Sequence, residues 1–206
     1  MLSRESDAAS RREGSNRLAP GSSTVQLVGP GGAGKSTVGT ALALRLGWPF
    51  HDIDREFERR HGDIDIFIHV HGYLAYARAN VETYLEVAPR LHGVVLALSS
   101  GFMVYPAAVH PAYGELTAAI ARCPTTFVLL PSLNVETCVA ETVRRQLGRA
   151  LCRRDAAGEE RVIRERFGRY VALPAAKMET TRPPNEVAAA IHAHLATAAP
   201  ESLRGG

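Results

Sequence analysis

A glycine-rich segment that ends in lysine and serine carries the clearest chemistry in this sequence. It spans residues 29–36, reads GPGGAGKS, and fits the pattern G-x-x-x-x-G-K-[ST] in full. Backbone N–H groups of such a loop turn inward around a phosphate chain, and the following helix adds the positive end of its dipole. Lysine in this pattern reaches the β- and γ-phosphates, and serine ligates Mg²⁺. The segment predicts a site for a nucleoside triphosphate with magnesium, held by Gly29, Gly31, Gly32, Ala33, Gly34, Lys35, Ser36 and Thr37.

Two aspartates follow the next apolar segment, for which we predict a strand over residues 49–53. Alternation along an extended chain places Asp52 and Asp54 on one face, near the sheet edge where the phosphate loop opens. One carboxylate can help to hold Mg²⁺ through water, while the other accepts a hydrogen bond from a substrate hydroxyl. A turn residue at Asp52 and a helix N-cap at Asp54 form the purely structural alternative.

The apolar segment 93–98 bears on the class of nucleotide-binding protein. It is followed by Ser99, Ser100 and Gly101, with no carboxylate. Large motor and AAA-type ATPases carry a metal-holding aspartate at this place, and GTPases need an Asn-Lys-x-Asp segment that this sequence lacks. Both classes are therefore disfavoured.

The whole chain alternates strand-like and helix-like segments, which predicts a parallel sheet covered on both faces. We predict an α/β fold with one P-loop domain over residues 24–206, without internal repeats. The expected strands are 24–28, 49–53, 93–98, 125–130 and about 177–180. The expected helices are 36–46, 54–61, 73–87, 111–121, 135–147, 159–167 and 185–196.

Composition is typical of an ordinary globular protein. The 206 residues are 46% hydrophobic and 22% charged, with a net charge of +3 and no apolar run long enough to cross a membrane. These values exclude a wholly disordered chain and a disulfide scaffold, and they give no sign of a nucleic-acid partner. Residues 1–23 are polar and lack a signal-peptide core, so we expect a disordered leader or an over-extended start. Three cysteines without a Cys-x-x-Cys pair favour a reduced, cytoplasmic protein, which we expect to be a monomer.

From residue 25 to about residue 195, the sequence resembles the shikimate kinase family. The resemblance is densest in GPGGAGKSTVG and in LGWPFHDIDRE, which are similar to that family's phosphate loop, first helix and Asp-x-Asp segment. It implies a three-layer α/β/α fold with a five-stranded parallel sheet, a helical substrate-binding region and an arginine-rich lid. It also implies transfer of the γ-phosphate of ATP to a hydroxyl of shikimate.

The resemblance assigns roles to individual residues. Lys35 and Ser36 match the phosphate and magnesium contacts, Asp52 the metal-associated carboxylate, and Asp54 the residue that binds the substrate diol and acts as base. Arg149 matches the lid arginine, and Arg166, followed by Tyr170, matches the arginine that binds the substrate carboxylate. Arg145, with its neighbour Arg144, falls where the family often keeps an adenine-stacking arginine.

Two departures fall in the acceptor pocket. The family's Phe-Arg-x-x-Glu segment is replaced by YARANVE from Tyr76 onward, so Arg78 serves as the second carboxylate contact only if the helix shifts locally. The family's Gly-Gly-Gly segment is replaced by Ser99, Ser100 and Gly101, whose N–H groups and hydroxyls can still bind an acceptor. We therefore assign Asp54, Arg78, Ser100, Gly101 and Arg166 to the substrate.

Basic residues concentrate late in the chain. Residues 143–169 hold nine arginines and four acidic residues, although the whole chain carries only +3. We predict a lid over about residues 148–158, whose arginines face the charge of the transferring phosphate. The alternative is a solvated helix face with pairs such as Glu160 and Arg164. His69 and His71 lack a third partner for zinc, and Lys177 either approaches the nucleotide or is exposed.

These observations predict an ATP- and Mg²⁺-dependent kinase of a small polyol, most simply shikimate. Lys35, Asp54 and Arg149 are its catalytic residues, and Ser36 and Asp52 its metal ligands. Other acceptors in the same class are another cyclitol, a sugar acid such as gluconate, or a hydroxylated antibiotic. A nucleotide-binding regulator with a degenerate acceptor site is the alternative from a different class, and a nucleoside monophosphate kinase is less favoured.

Overall fold

The computed structural model describes residues 24–148 and 155–198. Its sheet consists of five parallel strands in the order β2-β3-β1-β4-β5. The strands are β1 (Val25–Val28), β2 (Phe50–Asp52), β3 (Val95–Ala97), β4 (Thr126–Leu130) and β5 (Ala176–Glu179). This sheet confirms the predicted fold class, with each strand within two residues of its predicted bounds.

The helices cover both faces of this sheet. They are α1 (Lys35–Leu46), α2 (Ile53–His61), α3 (Ile64–His71), α4 (Tyr73–Val87), α5 (Tyr113–Arg122), α6 (Val135–Leu147), α7 (Ala156–Val171) and α8 (Pro184–Ala198). Short 3₁₀ turns cover Ala88–Arg90, Phe102–Val104 and Ala107–Val109. Among the described helices, none is long and apolar enough to span a lipid bilayer.

Alternation along the strands creates two cores, one on each side of the sheet. In β4, Phe127 and Leu129 point to one core, whereas Val128 and Leu130 point to the other. The first core is closed by α1 and α8, which pack against each other, and the second by the helices between β2 and β5. A strand buried on both faces has apolar residues at every position, which is why these segments read as continuous apolar runs.

One helix, α3, was not predicted from the sequence. α3 lies between Gly62 and Gly72, which have positive φ angles of 81° and 85°. Gly62 ends α2, and Gly72 ends α3. The Asp63 carboxylate caps its first turn by accepting a 2.9 Å hydrogen bond from the N–H of Ile66. Its sequence, IDIFIHVH, alternates apolar and polar residues and buries none of them fully. Such a pattern lacks the helical period, so only the caps could have indicated a helix.

The last third of the chain differs from the prediction at the lid. α7 begins at Ala156, three residues earlier than expected, because Asp155 caps it with a 2.8 Å hydrogen bond from the N–H of Gly158. Residues 156–158, the end of the segment predicted as a lid, therefore belong to the first turn of α7. Residues 149–154 of that segment, with Arg149, lie outside the described residues.

Candidate active site

The phosphate loop connects β1 to α1, as the sequence predicts. Gly29 and Gly34 have φ angles of 150° and 85°, and a side chain on Gly29 would place Cβ 2.2 Å from the Leu129 carbonyl oxygen. Only glycine satisfies both demands at Gly29. The Lys35 ammonium donates to the carbonyls of Gly29 at 2.7 Å and Pro30 at 3.0 Å, so the cation lies directly against the loop.

The first aspartate links the phosphate loop to β2. Oδ2 of Asp52 accepts a 3.0 Å hydrogen bond from the Ser36 hydroxyl, and Oδ1 accepts one of 3.0 Å from the N–H of Asp54. Asp52 therefore ends β2 and caps α2, while Asp54 stands in the first helical turn. The expectation of one extended segment was wrong, because the helix begins directly at Ile53. The two carboxylates nevertheless face the same cavity.

Asp54 is the more enclosed carboxylate of the pair. Its Oδ1 accepts hydrogen bonds from the Ser99 hydroxyl and, at 3.2 Å, from the Tyr76 hydroxyl. Burial raises the pKa of Asp54 and the neighbouring Asp52 charge adds to this effect, whereas the Ser99 hydrogen bond and the Lys35 charge oppose it. Burial also raises the pKa of Tyr76, which keeps this phenol a hydrogen-bond donor.

A cavity of about 150 Å³ brings most of the predicted site together. Gln146 of α6 and Leu98 line it as well, and sequence reasoning assigned neither to the site. A Cβ on Gly31 would lie 2.6 Å from Nε2 of Gln146, so this side chain closes directly over the loop. The predicted residues that line the cavity are Gly31, Gly32, Ala33, Gly34, Lys35, Ser36, Thr37, Asp52, Asp54 and Ser100.

The predicted acceptor arginine lies beside the serine–glycine loop. The Arg166 guanidinium donates to the Ser100 carbonyl at 3.4 Å and to the Tyr73 hydroxyl at 3.1 Å. The Tyr170 hydroxyl donates to the same carbonyl at 2.8 Å. Gly101 has no space for a side chain, because a Cβ would lie 2.6 Å from Oη of Tyr73. The structure therefore brings Arg166, Ser100 and Gly101 together.

Arg78 is not part of this group. It lies on the exposed side of α4, where its guanidinium pairs with Glu82 at 3.1 Å. Tyr76, on the same helix, points its hydroxyl at Asp54. Two residues correspond to about 200° of helical rotation, so Arg78 faces away from the site that Tyr76 faces. No local helix shift is present, and the assignment of Arg78 to the substrate was wrong.

Arg145 joins α6 to the phosphate loop and to the segment after β5. Its guanidinium donates to the Gly32 carbonyl at 3.2 Å, to the Thr180 hydroxyl at 3.1 Å and carbonyl at 2.7 Å, and to Glu141 at 2.8 Å. These contacts border an open cavity of about 510 Å³ that extends to Pro184. This cavity adjoins the phosphate loop at Gly32 and Gly34, and contact of Arg145 with adenine stays a prediction.

Two other basic candidates, Arg164 and Lys177, have local partners. Glu160 and Arg164 form the predicted pair at 2.8 Å, and Arg164 also binds Glu136. The Lys177 ammonium donates to the Leu173 carbonyl. Within residues 24–148 and 155–198, no three His, Cys, Asp or Glu side chains converge as metal ligands.

Tyr76 and Ser99 were missed as contacts of Asp54. Tyr76 is buried, with 6% of its surface exposed. Its hydroxyl donates to Asp54, and only the resemblance offered a signal for this contact, since this tyrosine replaces the family's phenylalanine. Ser99 was noted as a change in a glycine segment, without a partner.

Comparisons of the sequence with known proteins indicate one family. The sequence model described as shikimate kinase matches residues 31–196. A shikimate kinase of Colwellia psychrerythraea is 43% identical over 81 residues, which is 39% of this chain and 46% of that protein. The chain thus spans about half the length of the curated relatives it matches.

Solved structures share the fold at lower identity. A shikimate kinase from Acinetobacter baumannii in complex with shikimate superimposes with a TM-score of 0.67, at 24% identity, over 85% of this chain and 94% of that one. A gluconokinase from Sinorhizobium meliloti superimposes with a TM-score of 0.54, at 18% identity, over 89% and 95% of the two chains. At such identities the likeness shows the fold.

Proposed function

The chain belongs to the shikimate kinase family, and from this membership we propose that it transfers the γ-phosphate of ATP to a hydroxyl of shikimate. One observation carries the proposal. The Asp54 carboxylate lines the same small cavity as Lys35 and Ser36 of the phosphate loop. A hydroxyl that reaches Asp54 would therefore meet the end of a triphosphate seated on that loop.

Each part of the site has a task in this reaction. The loop N–H groups and Lys35 bind and orient the phosphates, and the Asp54 carboxylate accepts the proton of the attacking hydroxyl. Arg166 holds the acceptor's carboxylate, for which a guanidinium offers two parallel donors. Catalysis then comes mainly from placing two reactants in line and from stabilising charge on the phosphoryl oxygens.

Magnesium is proposed as the metal. Ser36 and Asp52 offer a hydroxyl and a carboxylate 3.0 Å apart, and Mg²⁺ prefers such hard oxygen donors. When bound, the metal would neutralise phosphate charge. A monomeric state and a cytoplasmic location stay predictions of the sequence analysis, and light scattering and cell fractionation test them.

The deciding experiment is ADP release from ATP with Mg²⁺, measured with and without shikimate. We expect shikimate-dependent release, and Asp54→Asn should lower kcat about 100-fold or more because it removes the general base. ATP affinity, measured by calorimetry, should remain within about twofold, since the side-chain donors to Asp54 Oδ1 are Tyr76 and Ser99, which lie outside the phosphate loop.

Two other results would point elsewhere. Stimulation by gluconate or another polyol, but not by shikimate, would assign a different acceptor to the same phosphate site. ATP binding without stimulation by any hydroxyl compound would favour a nucleotide-binding regulator.

A further inference from the structure

Two hydroxyl groups hold one oxygen of the Asp54 carboxylate. We infer that Tyr76 and Ser99 are positioning residues that fix Oδ1, so that Oδ2 is the oxygen that meets the acceptor hydroxyl. The donors are Oη of Tyr76 at 3.2 Å and Oγ of Ser99, and both donate to Oδ1 rather than to Oδ2. This inference rests on the proposed function, because it assigns the proton to a particular atom of its base.

Tyr76 is held by the helix that carries Asp54. Its ring packs edge-on against Phe57 with centroids 5.0 Å apart, and Phe57 lies one turn after Asp54 on α2. Only 6% of Tyr76 is exposed. The phenol cannot swing away without opening the contact between α2 and α4, so its hydroxyl is preorganised toward the carboxylate.

Ser99 approaches the same oxygen from the sheet. It follows β3, is 1% exposed, and its carbonyl accepts a 3.0 Å hydrogen bond from the N–H of Phe102. The two donors thus come from different layers of the fold, one from a helix and one from a strand end. A carboxylate held at one oxygen by both keeps a fixed plane, and its second oxygen keeps a fixed direction.

The plane of the carboxylate matters because in-line transfer tolerates little misplacement. In the reaction, the acceptor hydroxyl gives its proton to Oδ2 of Asp54 and its oxygen bonds to the γ-phosphorus. The bond from that phosphorus to the bridging oxygen breaks, and ADP leaves with the electron pair. If the carboxylate rotates freely, its proton-accepting oxygen points away from the acceptor hydroxyl for part of the time. This lowers kcat without weakening nucleotide binding.

Tyr76→Phe removes one donor and keeps the ring. Tyr84→Phe is its matched control, because Tyr84 lies on the same helix and its buried hydroxyl donates to Gln26 at 2.7 Å, away from Asp54. We expect Tyr76→Phe to lower kcat about tenfold with the KM for ATP changed less than about twofold. Tyr84→Phe should lower Tm while kcat stays within about twofold of the unchanged protein. Equal losses of kcat in the two variants would overturn the inference.

A spectroscopic measurement separates this inference from the proposed function. The ¹³C resonance of the Asp54 carboxyl, assigned with Asp54→Asn, should shift in Tyr76→Phe and in Ser99→Ala but not in Tyr84→Phe. If the resonance is unchanged in both Tyr76→Phe and Ser99→Ala, the positioning of Asp54 by these two hydroxyls is refuted, even if the enzyme is fully active. A shifted resonance in a protein whose ADP release does not respond to shikimate would support the positioning role of Tyr76 and Ser99. The same result would reject shikimate as the acceptor.

Discussion

The Ser36 hydroxyl donates a 3.0 Å hydrogen bond to Oδ2 of Asp52, and this contact reaches across a strand of the sheet. Ser36 lies in the first turn of α1, directly after β1 and the phosphate loop, whereas Asp52 is the last residue of β2. β3 lies between these two strands. All three strands are parallel, so their carboxyl ends open at one edge, and strand order brings together the two residues proposed as metal ligands.

The two tasks of Asp52 can be separated by substitution. Asp52→Asn keeps an oxygen that can cap α2 but removes the charge, so we expect the Mg²⁺ concentration for half-maximal activity to rise about tenfold with little change in stability. Asp52→Ala loses the cap as well, and its free energy of unfolding should fall by about 1 kcal/mol. Titration of activity with Mg²⁺ and urea unfolding check both expectations. An unchanged Mg²⁺ requirement in both variants would remove Asp52 from the metal site.

The two arginines assigned to the acceptor should behave differently. Arg166→Ala should raise the KM for shikimate about 10- to 100-fold, because a charge-assisted hydrogen bond is lost, while the KM for ATP remains. Arg78→Ala is the matched control. Its exposed pair with Glu82 contributes little, and both KM values should remain within about twofold. Steady-state kinetics with each substrate varied in turn would show the difference, and a raised acceptor KM in Arg78→Ala would contradict the observed placement.

Adjacent arginines on α6 provide a second matched pair. Arg145 binds Gly32 of the phosphate loop and Thr180, whereas Arg144 pairs with Glu141 and is 71% exposed. Arg145→Ala should raise the KM for ATP about tenfold, because the phosphate loop loses its hydrogen bond from Arg145 and adenine loses the predicted contact with this guanidinium. Arg144→Ala should change it less than about twofold. Equal effects would mean that overall positive charge, rather than the Arg145 contacts, governs nucleotide binding.

The Glu141 carboxylate predicts a pH-dependent contribution to stability. Hydrogen bonds from Arg144, joined by Arg145, lower the pKa of Glu141 from 4.5 to about 2. Because the pKa in the folded protein lies below the unfolded value, the contribution is complete above about pH 4.5 and is lost as the pH falls toward about 2. We expect Glu141→Gln to lower the free energy of unfolding by about 1 kcal/mol near neutral pH.

Urea unfolding of both proteins over this pH range checks the expectation. The difference between wild type and Glu141→Gln should shrink as the pH falls. A difference that stays constant down to the acid limit would show that the carboxylate charge contributes nothing.

Helix phase shows where sequence reasoning reached its limit. The sequence shows that Arg78 follows Tyr76 by two residues, where the family's arginine directly follows its phenylalanine. The sequence did not show whether a local shift of the helix corrects for this extra residue. α4 is a continuous helix from Tyr73 to Val87, so the side chain of Arg78 lies on its exposed side. Arg166, from a distant part of the chain, reaches the Ser100 carbonyl because α7 packs beside the segment that follows β3.

What the sequence alone determined is local. The phosphate loop, the two aspartates and the alternation of strands with helices follow from glycine geometry, short-range spacing and apolar periodicity, which the chain encodes within a few residues of each site. What only the tertiary structure decided is which distant side chains meet. The hydroxyls of Tyr76 and Ser99 converge on Asp54 because α4 and the end of β3 pack around the start of α2. Convergence of this kind depends on the phase of a helix and the order of strands, and no short segment carries that information.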